Sequence, residues 1–107
     1  GAIGPGPDLL RRALARGTAQ LPEVGAELPP SPIGRSTVEA VQVGVMVPFL
    51  DGVRGLLVRT AAVLDAEPFV VATGGWGGWL AERIDGIDRV EPDLVLHGVR
   101  VLLDLNP

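Results

Sequence analysis

Two short segments carry residue types that could hold a ligand at the start of a helix. Gly74-Gly75 follows the apolar run 68–73, and a glycine pair there would place backbone amides where a nucleotide could lie against the chain. The alternative is a tight structural turn from strand to helix. Thr37 stands at another predicted helix start, where its hydroxyl and nearby amides could hold a carboxylate. The alternative there is a second capping residue.

Several other kinds of site are excluded by residue type. The chain has no cysteine, which excludes disulfides, thiolate metal sites and cysteine nucleophiles. His97 is its single histidine, so no multi-histidine metal site and no histidine-based triad can be assembled. The acidic residues between Asp85 and Asp93 are predicted to form a solvated run, and Trp76 and Trp79 to be packing or interface residues. We therefore predict no complete catalytic set and no metal site within these residues.

Composition predicts one small globular domain. The chain has 107 residues, of which 47% are apolar and 21% charged, and this supplies enough apolar material for a core. Thirteen acidic residues against nine basic ones give a net charge of −4, which argues against nucleic acid and anionic membranes as partners. The longest uncharged stretch in the apolar middle, Ala40–Leu50, is too short to span a membrane. A cytoplasmic location is expected.

Helix-ending residues divide the first half of the chain. Asp8 opens a helical pattern that Pro22 ends, and Asp8 and Arg12 have a favourable spacing for an ion pair. The proline-rich segment 22–32 is predicted to be an extended surface loop.

A capping box predicts the start of the next helix. Ser36 and Glu39 have the required spacing, so that each side chain satisfies a backbone amide of the first turn. The segment 38–50 is apolar nearly all round, which predicts burial on more than one side. Pro48 predicts a kink or break just before it, with a further helix over 52–65.

The sequence of the second half of the chain predicts an α/β arrangement, but with too few strands to form a sheet. The run 68–73 is typical of a strand covered on both faces. A short helix is predicted over 76–83, a turn or short extended piece over 88–92, and a last helix from Asp93. One strand cannot form a sheet, so we predict that Phe69–Thr73 pairs with strands formed elsewhere.

Six short motifs follow one another in chain order. They are Gly1–Gly6, Leu21-Pro22, Ile33-Gly34-Arg35-Ser36-Thr37, the trio Ala40, Gln42 and Gly44, then Ala72-Thr73-Gly74-Gly75, and finally 91–99. Together they resemble the C-terminal half of type III pantothenate kinases. Each motif alone is weak evidence for this family, but six motifs in this order are specific to it. The likeness covers almost the whole chain.

The resemblance implies a fold and an activity. Residues 1–107 would form the C-terminal ribonuclease-H-like half of a two-domain kinase of the actin-like ATPase superfamily, helix-rich and with a sheet incomplete without the other half. The family phosphorylates pantothenate to 4'-phosphopantothenate, the first step towards coenzyme A. ATP is the co-substrate, and a monovalent cation (K⁺ or NH₄⁺) and Mg²⁺ are implied, with their ligands outside this chain.

The resemblance also implies roles for individual residues. Thr37 would reach pantothenate bound mainly by the neighbouring subunit of a homodimer, whose interface would involve residues 38–64. Thr73, Gly74 and Gly75 would lie on the adenosine side of the nucleotide cleft. The general base and the phosphate-binding loop would belong to the N-terminal half, so no catalytic residue is expected in this chain. Neither nucleic acid nor membrane is expected as a partner.

Two positions depart from the family's pattern. Val43 stands where the family usually has a serine, and Val47-Pro48 stands where it usually has Tyr-Gly. These departures keep open a second interpretation, a non-catalytic relative that acts as an interaction or regulatory module. A third interpretation is a plain α/β domain whose Gly74-Gly75 turn is structural.

Overall fold

A computed structural model describes residues 1–17 and 21–106, which form four helices and two strands. In chain order these are α1 (Pro7–Gly17), α2 (Thr37–Val63), β1 (Val71–Ala72), α3 (Gly77–Ala81), β2 (Arg89–Val90) and α4 (Leu94–Leu105). The chain divides into two compact units, Gly1–Leu56 and Leu57–Pro107. Helix α2 begins in the first unit and ends in the second.

Two arginines in the first turns of helix α1 make contacts that stabilise it. The Asp8 carboxylate pairs with the guanidinium of Arg11, whereas Arg12 Nε donates to the Asp8 carbonyl oxygen at 3.2 Å. The predicted side-chain pair of Asp8 with Arg12 is therefore replaced by the pair at the i+3 spacing. Arg11 also donates to the carbonyl oxygen of Val24. One guanidinium thus ties α1 to the loop that follows it.

The predicted extent of this first helix is confirmed only in part. Helix α1 ends at Gly17, whereas the prediction continued to Pro22, and residues 18–20 lie outside the described part of the chain. Residues 21–36 form neither helix nor strand. This confirms the proline-rich loop predicted over 22–32.

Helix α2 starts at the predicted cap. Ser36 Oγ accepts a hydrogen bond from the Glu39 N–H at 3.1 Å, and the Ser36 carbonyl accepts one from the Ala40 N–H at 2.9 Å. The Glu39 carboxylate accepts the N–H of Arg35 at 2.9 Å, one residue earlier than in the standard capping box. Hydroxyl and carboxylate thus satisfy backbone donors at a helix start that lacks intrahelical acceptors.

Of the kink or break predicted before Pro48, the break is wrong. Helix α2 continues from Thr37 to Val63 with Pro48 inside it, and it contains most of the separate helix predicted over 52–65. A proline removes the hydrogen bond to the carbonyl four residues earlier. Both Pro48 and Gly44 lie on the exposed side of α2, where water can reach that carbonyl. The buried residues Val45, Met46 and Leu50 lie on the other side of the helix.

The core of the first unit lies on one side of α2. Val45 and Met46 are 1% and 0% exposed, and the cluster is completed by Val41, Leu50 and, from the loop, Val24. Burying a side chain of this size contributes about 1.5–3 kcal/mol. This cluster fixes the rotation of α2 about its own axis within the unit.

The opposite side of α2 is apolar but exposed. Ala40, Gly44 and Pro48 follow one another along it at one-turn spacing, and all three are exposed. By length and composition alone α2 would be able to cross a membrane, since its most apolar 18-residue stretch has a mean hydropathy of 1.5. Only 22% of that stretch is buried inside the protein. The predicted burial on more than one side is therefore met on one side only within this chain.

The second unit contains a small parallel sheet. Strands β1 and β2 pair in parallel with Val71 opposite Arg89. The Asp88 N–H donates to the Val70 carbonyl at 2.9 Å, and the Asp88 carboxylate accepts the Val70 N–H at 2.7 Å. Asp88 therefore holds the start of the strand pair from both its backbone and its side chain.

The strand prediction is right in place but wrong in extent and in partner. Only two residues of the run 68–73 form β1, and Phe69 is 70% exposed rather than buried. Its partner β2 lies within this chain, in the segment 88–92 that was predicted as a turn or short extended piece. Two strands do not make the sheet of an α/β domain, in which both faces are covered. The sheet is incomplete, as predicted.

The two later helices are confirmed. Helix α3 lies within the predicted segment 76–83, and α4 begins directly after Asp93. Ile84, which follows α3, is 6% exposed and is the buried apolar residue of the described part of this unit. No residue of α4 is buried. The second unit therefore has a much smaller core than the first.

Replacing Pro48 with alanine is expected to stabilise the protein by about 1–3 kcal/mol, because alanine restores a hydrogen bond inside α2 and has a higher helix propensity. Urea unfolding followed by circular dichroism measures the change. Pro92→Ala, outside every described element, is the control and should stay within about 0.5 kcal/mol. A loss of stability in Pro48→Ala would show that α2 requires the proline.

Candidate functional site

The candidate ligand residues fall into two separate segments. Thr37 lies in the first unit, and the turn Thr73–Gly75 lies in the second. Each segment follows a loop or a strand and leads into a helix, as predicted. Their local geometries differ, because the first depends on side-chain capping and the second on glycine backbone conformation.

Thr37 is the first residue of α2 and stands next to the cap without taking part in it. Ser36 supplies the capping hydroxyl to Glu39, and Thr37 is exposed. Among the residues that the structure describes, the Thr37 hydroxyl has no hydrogen-bond partner. The contacts therefore give the capping role to Ser36 and leave the Thr37 hydroxyl available to a ligand at the positive end of a 27-residue helix.

Gly34 fixes the loop before Thr37 against the helix. A Cβ added at Gly34 would lie 2.7 Å from both the nitrogen and the Cα of Ala40, a distance that real Cβ atoms do not reach. Only glycine lets the loop pass this close to the first turn. Steric contact with Ala40 therefore explains why position 34 of the motif is glycine, and this close contact holds the loop that leads into Thr37.

Gln42 connects α2 to the proline-rich loop. Its side-chain amide donates to the Glu27 carboxylate at 2.8 Å. Gly44, two residues later, has open space around it, since an added Cβ would meet nothing within 4 Å. Gln42 thus contacts another residue of this chain, whereas the backbone of Gly44 has open space around it.

The turn after β1 is formed by a glycine in the left-handed region. Gly74 has φ of +84°, which side chains rarely adopt, and its carbonyl accepts the Gly77 N–H at 3.2 Å. Thr73, Gly74 and Gly75 are all exposed, and a Cβ at either of the two glycines would meet nothing within 4 Å. The predicted turn is confirmed, and its backbone is open to a ligand.

Gly77 is a positioning residue that the sequence analysis missed. It is buried at the start of α3, and a Cβ there would lie 3.3 Å from the carbonyl carbon of Ala72. Glycine at this position lets α3 begin directly against the end of β1. The Gly77-Gly78 pair that follows Trp76 was the available signal.

The two tryptophans pack against each other, as predicted. The rings of Trp76 and Trp79 meet edge to face with centroids 5.5 Å apart. The guanidinium carbon of Arg83 lies 4.1 Å from the Trp79 centroid, within range of a cation–π interaction, and Arg83 also donates to the Trp79 carbonyl at 3.0 Å. This cluster stiffens the short helix that follows the glycine turn.

The acidic residues form neither an acid–base pair nor a metal site in the described residues. No group of three or more His, Asp or Glu residues there could hold a metal ion, and His97 is exposed on α4. The predicted solvated run is partly wrong, because the Asp88 carboxylate accepts the N–H of Val70, just before β1, and Glu91 pairs with Arg89 at 3.0 Å. These two carboxylates therefore make contacts that stabilise the two-stranded sheet.

The first unit also has an apolar groove that the sequence did not predict. Its volume is about 470 Å³, and it is lined by Gly4, Pro5, Leu10, Pro48, Phe49, Gly52, Val53 and Leu56. The groove lies between the N-terminal glycine–proline segment and α2. It contains none of the predicted ligand residues.

Comparison with known proteins gives a consistent family. The sequence model of the family described as "Type III pantothenate kinase" matches residues 1–59. Proteins of that name from Moorella thermoacetica and Akkermansia muciniphila are each 40% identical to this chain over 106 residues, covering 99% of it. The same name and identity apply to a protein from Gluconobacter oxydans. The chain spans 42%, 44% and 39% of the lengths of these three relatives.

The two glycines of the turn give a matched test of the backbone geometry. Gly74→Ala is expected to destabilise the protein by about 1–2 kcal/mol, because alanine must adopt a left-handed conformation. Gly75→Ala should change stability by less than about 0.5 kcal/mol, since its φ is ordinary and its surroundings are open. Thermal unfolding of the two variants measures the difference. Equal losses would contradict the assignment of the strained position to Gly74.

Proposed function

The chain belongs to the type III pantothenate kinase family, and we propose that it is the C-terminal part of a kinase that phosphorylates pantothenate with ATP. The observation that carries the proposal is 40% identity along 99% of the chain to a protein of that name. The product would be 4'-phosphopantothenate, on the way to coenzyme A. We propose a cytoplasmic location, where ATP is available as phosphoryl donor.

Under this proposal the chain binds and positions substrates, while the remaining part of the polypeptide performs the chemistry. As the family resemblance implies, the general base and the phosphate-binding loop would lie outside these residues. Mg²⁺ and the monovalent cation, K⁺ or NH₄⁺, would be bound there as well. The two parts together would form the two ribonuclease-H-like domains of an actin-like ATPase fold.

Thr73, Gly74 and Gly75 would line the adenosine side of the nucleotide cleft. The bare backbone around Gly74 and Gly75 supports this assignment, because a nucleotide can approach a glycine turn more closely than any residue with a side chain allows. The packing of Gly77 on Ala72 and the tryptophan pair behind it would keep the turn rigid.

Thr37 would donate its hydroxyl to pantothenate bound mainly by the neighbouring subunit. Its exposure at the start of α2 supports this role, as does the division of labour with Ser36, which caps the helix. The positive end of the helix would also favour the pantothenate carboxylate, by about 0.3–1 kcal/mol at an exposed site.

The neighbouring subunit would pack on α2, within residues 38–64. The exposed positions Ala40 and Gly44 let another helix approach closely, since neither carries a bulky side chain. An interface explains the apolar exposed side of α2 better than a membrane does. The exposed carboxylate of Asp51 and the guanidinium of Arg54, paired at 3.1 Å, would be costly to place in a lipid core.

A second candidate function rests on Val43 and Pro48, which depart from the family's usual residues at the same helix. It is a non-catalytic relative that acts as an interaction or regulatory module. An assay of the full-length protein for ATP-dependent phosphorylation of pantothenate separates the two functions. Phosphorylated product supports the kinase. A folded dimer without turnover supports the module.

Thr37→Ala in the full-length protein is expected to raise the KM for pantothenate about ten- to a hundredfold, since a hydrogen bond to a charged group contributes roughly 1.5–3 kcal/mol. The KM for ATP should change little. Thr37→Ser keeps the hydroxyl and should restore most of the affinity. Steady-state kinetics at saturating concentrations of the second substrate measure both constants.

Ser36→Ala is the matched control for the capping role. It should lower the free energy of unfolding by about 1 kcal/mol, whereas Thr37→Ala should leave stability nearly unchanged. A normal KM for pantothenate together with a lower melting temperature in Thr37→Ala would assign Thr37 to capping and remove it from the site.

Gly44→Leu is expected to convert the proposed dimer into a monomer, because an added Cβ there meets nothing within 4 Å in its own chain and a leucine would fill the space that a second helix would use. The monomer itself should keep its fold, since leucine has a higher helix propensity than glycine. Light scattering after size exclusion gives the mass. Gly17→Leu, another exposed helical glycine with open surroundings, is the control and should remain dimeric. A dimeric Gly44→Leu protein would place the interface elsewhere.

A further inference from the structure

The proline-rich loop is attached to α2 at a point well before Thr37. The side-chain amide of Gln42 donates to the Glu27 carboxylate at 2.8 Å, at a sequence separation of 15 residues. That carboxylate folds back over Gly25, where an added Cβ would lie 2.7 Å from Oε1 of Glu27. Glycine at position 25 therefore leaves the space in which the Glu27 side chain reaches the helix.

A second pair of contacts attaches the end of the same loop. The loop passes close to the backbone of Ala40 at Gly34, and the Arg35 N–H donates to the Glu39 carboxylate at 2.9 Å. Both contacts lie on the first turn of α2, whereas Gln42 lies on the second. The loop is thus attached to one helix both before and after its proline-rich part.

The stretch between the two attachments has little conformational freedom. Its prolines, each of which fixes its φ angle, are Pro29, Pro30 and Pro32. Ser31 Oγ accepts the N–H of Ile33 at 3.2 Å. A proline-rich segment acts as a semi-rigid spacer, so a displacement of one end moves the other. Loss of the contact at Glu27 would therefore shift the residues that lead into Thr37.

We infer that Gln42 and Glu27 form a positioning pair for Thr37. The inference rests on the proposed function, in which the Thr37 hydroxyl contacts pantothenate. Neither side chain of the pair needs to touch the substrate, because the pair acts through the loop and the cap of α2. Their hydrogen bond holds the loop against the helix and thereby fixes the helix start from which the Thr37 hydroxyl reaches the ligand.

The position of Gln42 on α2 separates this role from the proposed subunit contact. Residues two apart on a helix are about 200° apart around its axis, so Gln42 lies nearly opposite both Ala40 and Gly44. Its side chain is half-buried on the same side as Val45 and Met46. Substitution of Gln42 therefore leaves the small exposed residues of α2 unchanged.

Exchanging the two side chains in the full-length protein tests the inference. Gln42→Glu places two carboxylates against each other, and we expect it to raise the KM for pantothenate about threefold to tenfold. The kcat and the KM for ATP should change little. Adding Glu27→Gln restores one donor and one acceptor in exchanged positions, and should return the KM to within about twofold of its original value. Adding Glu23→Gln instead removes the same charge from an exposed position of the loop and should not rescue.

Thr37→Ala shows whether the pair acts through Thr37. In the Thr37→Ala protein, Gln42→Glu should raise the KM for pantothenate by less than about twofold, because the group that the pair positions is already absent. The inference is overturned by a normal KM in Gln42→Glu, by an equal rescue from Glu23→Gln, or by a full additional effect in Thr37→Ala. A lower mass of Gln42→Glu in light scattering would also overturn it, by assigning Gln42 to the subunit contact.

Hydrogen exchange gives a measurement that does not depend on turnover. Amide exchange in the peptide 28–37 should be faster in Gln42→Glu than in the unsubstituted protein, and should return to its original rate in the exchanged pair. Unchanged exchange would overturn the inference even in an active kinase. Faster exchange in a protein that does not phosphorylate pantothenate would support the attachment of the loop and overturn only the proposed function.

Discussion

Burial of Val45 and Met46 on one side of α2 is the constraint on which the described fold depends. These side chains are 1% and 0% exposed, and they fix which side of a 27-residue helix faces its own unit. The loop residue Gly34 contacts the same helix near its start. Any rotation of α2 would therefore move Thr37 as well, so the position of the candidate substrate residue is set by apolar packing two to three turns away.

Features that depend on near neighbours could be predicted from the sequence. Ser36 and Glu39 are three residues apart, and their side chains reach the amides that the spacing predicts, with a shift of one residue for the carboxylate. The turn at Gly74 was equally visible, because a glycine pair after an apolar run needs few other contacts to form. In both cases the sequence separation is short, so local chemistry decides the conformation.

Features that depend on distant residues could not be predicted in the same way. Proline inside a helix costs about 3 kcal/mol, which predicted a break at Pro48. Burial of Met46 and Leu50 on the opposite side offsets that cost, at about 1.5–3 kcal/mol for each side chain. The segment of β2 was predicted only as a turn or short extended piece, because its two residues, Arg89–Val90, are too few to show a period. Its pairing is fixed by Asp88, whose carboxylate binds Val70 at a separation of 18 residues.

The apolar surface of this chain explains why one helix has the composition of a membrane span. A helix covered on both sides by protein has no need of polar residues on either side, and hydropathy cannot distinguish it from a helix in lipid. The exposed carboxylate of Asp51 and its partner Arg54 favour a protein environment, because this pair would lose its water in a bilayer. In the proposed dimer, the small residues on α2 would let a second subunit approach closely. A chain that spans about two fifths of its relatives' length is therefore expected to have a small core of its own and exposed apolar surface that only a larger assembly covers.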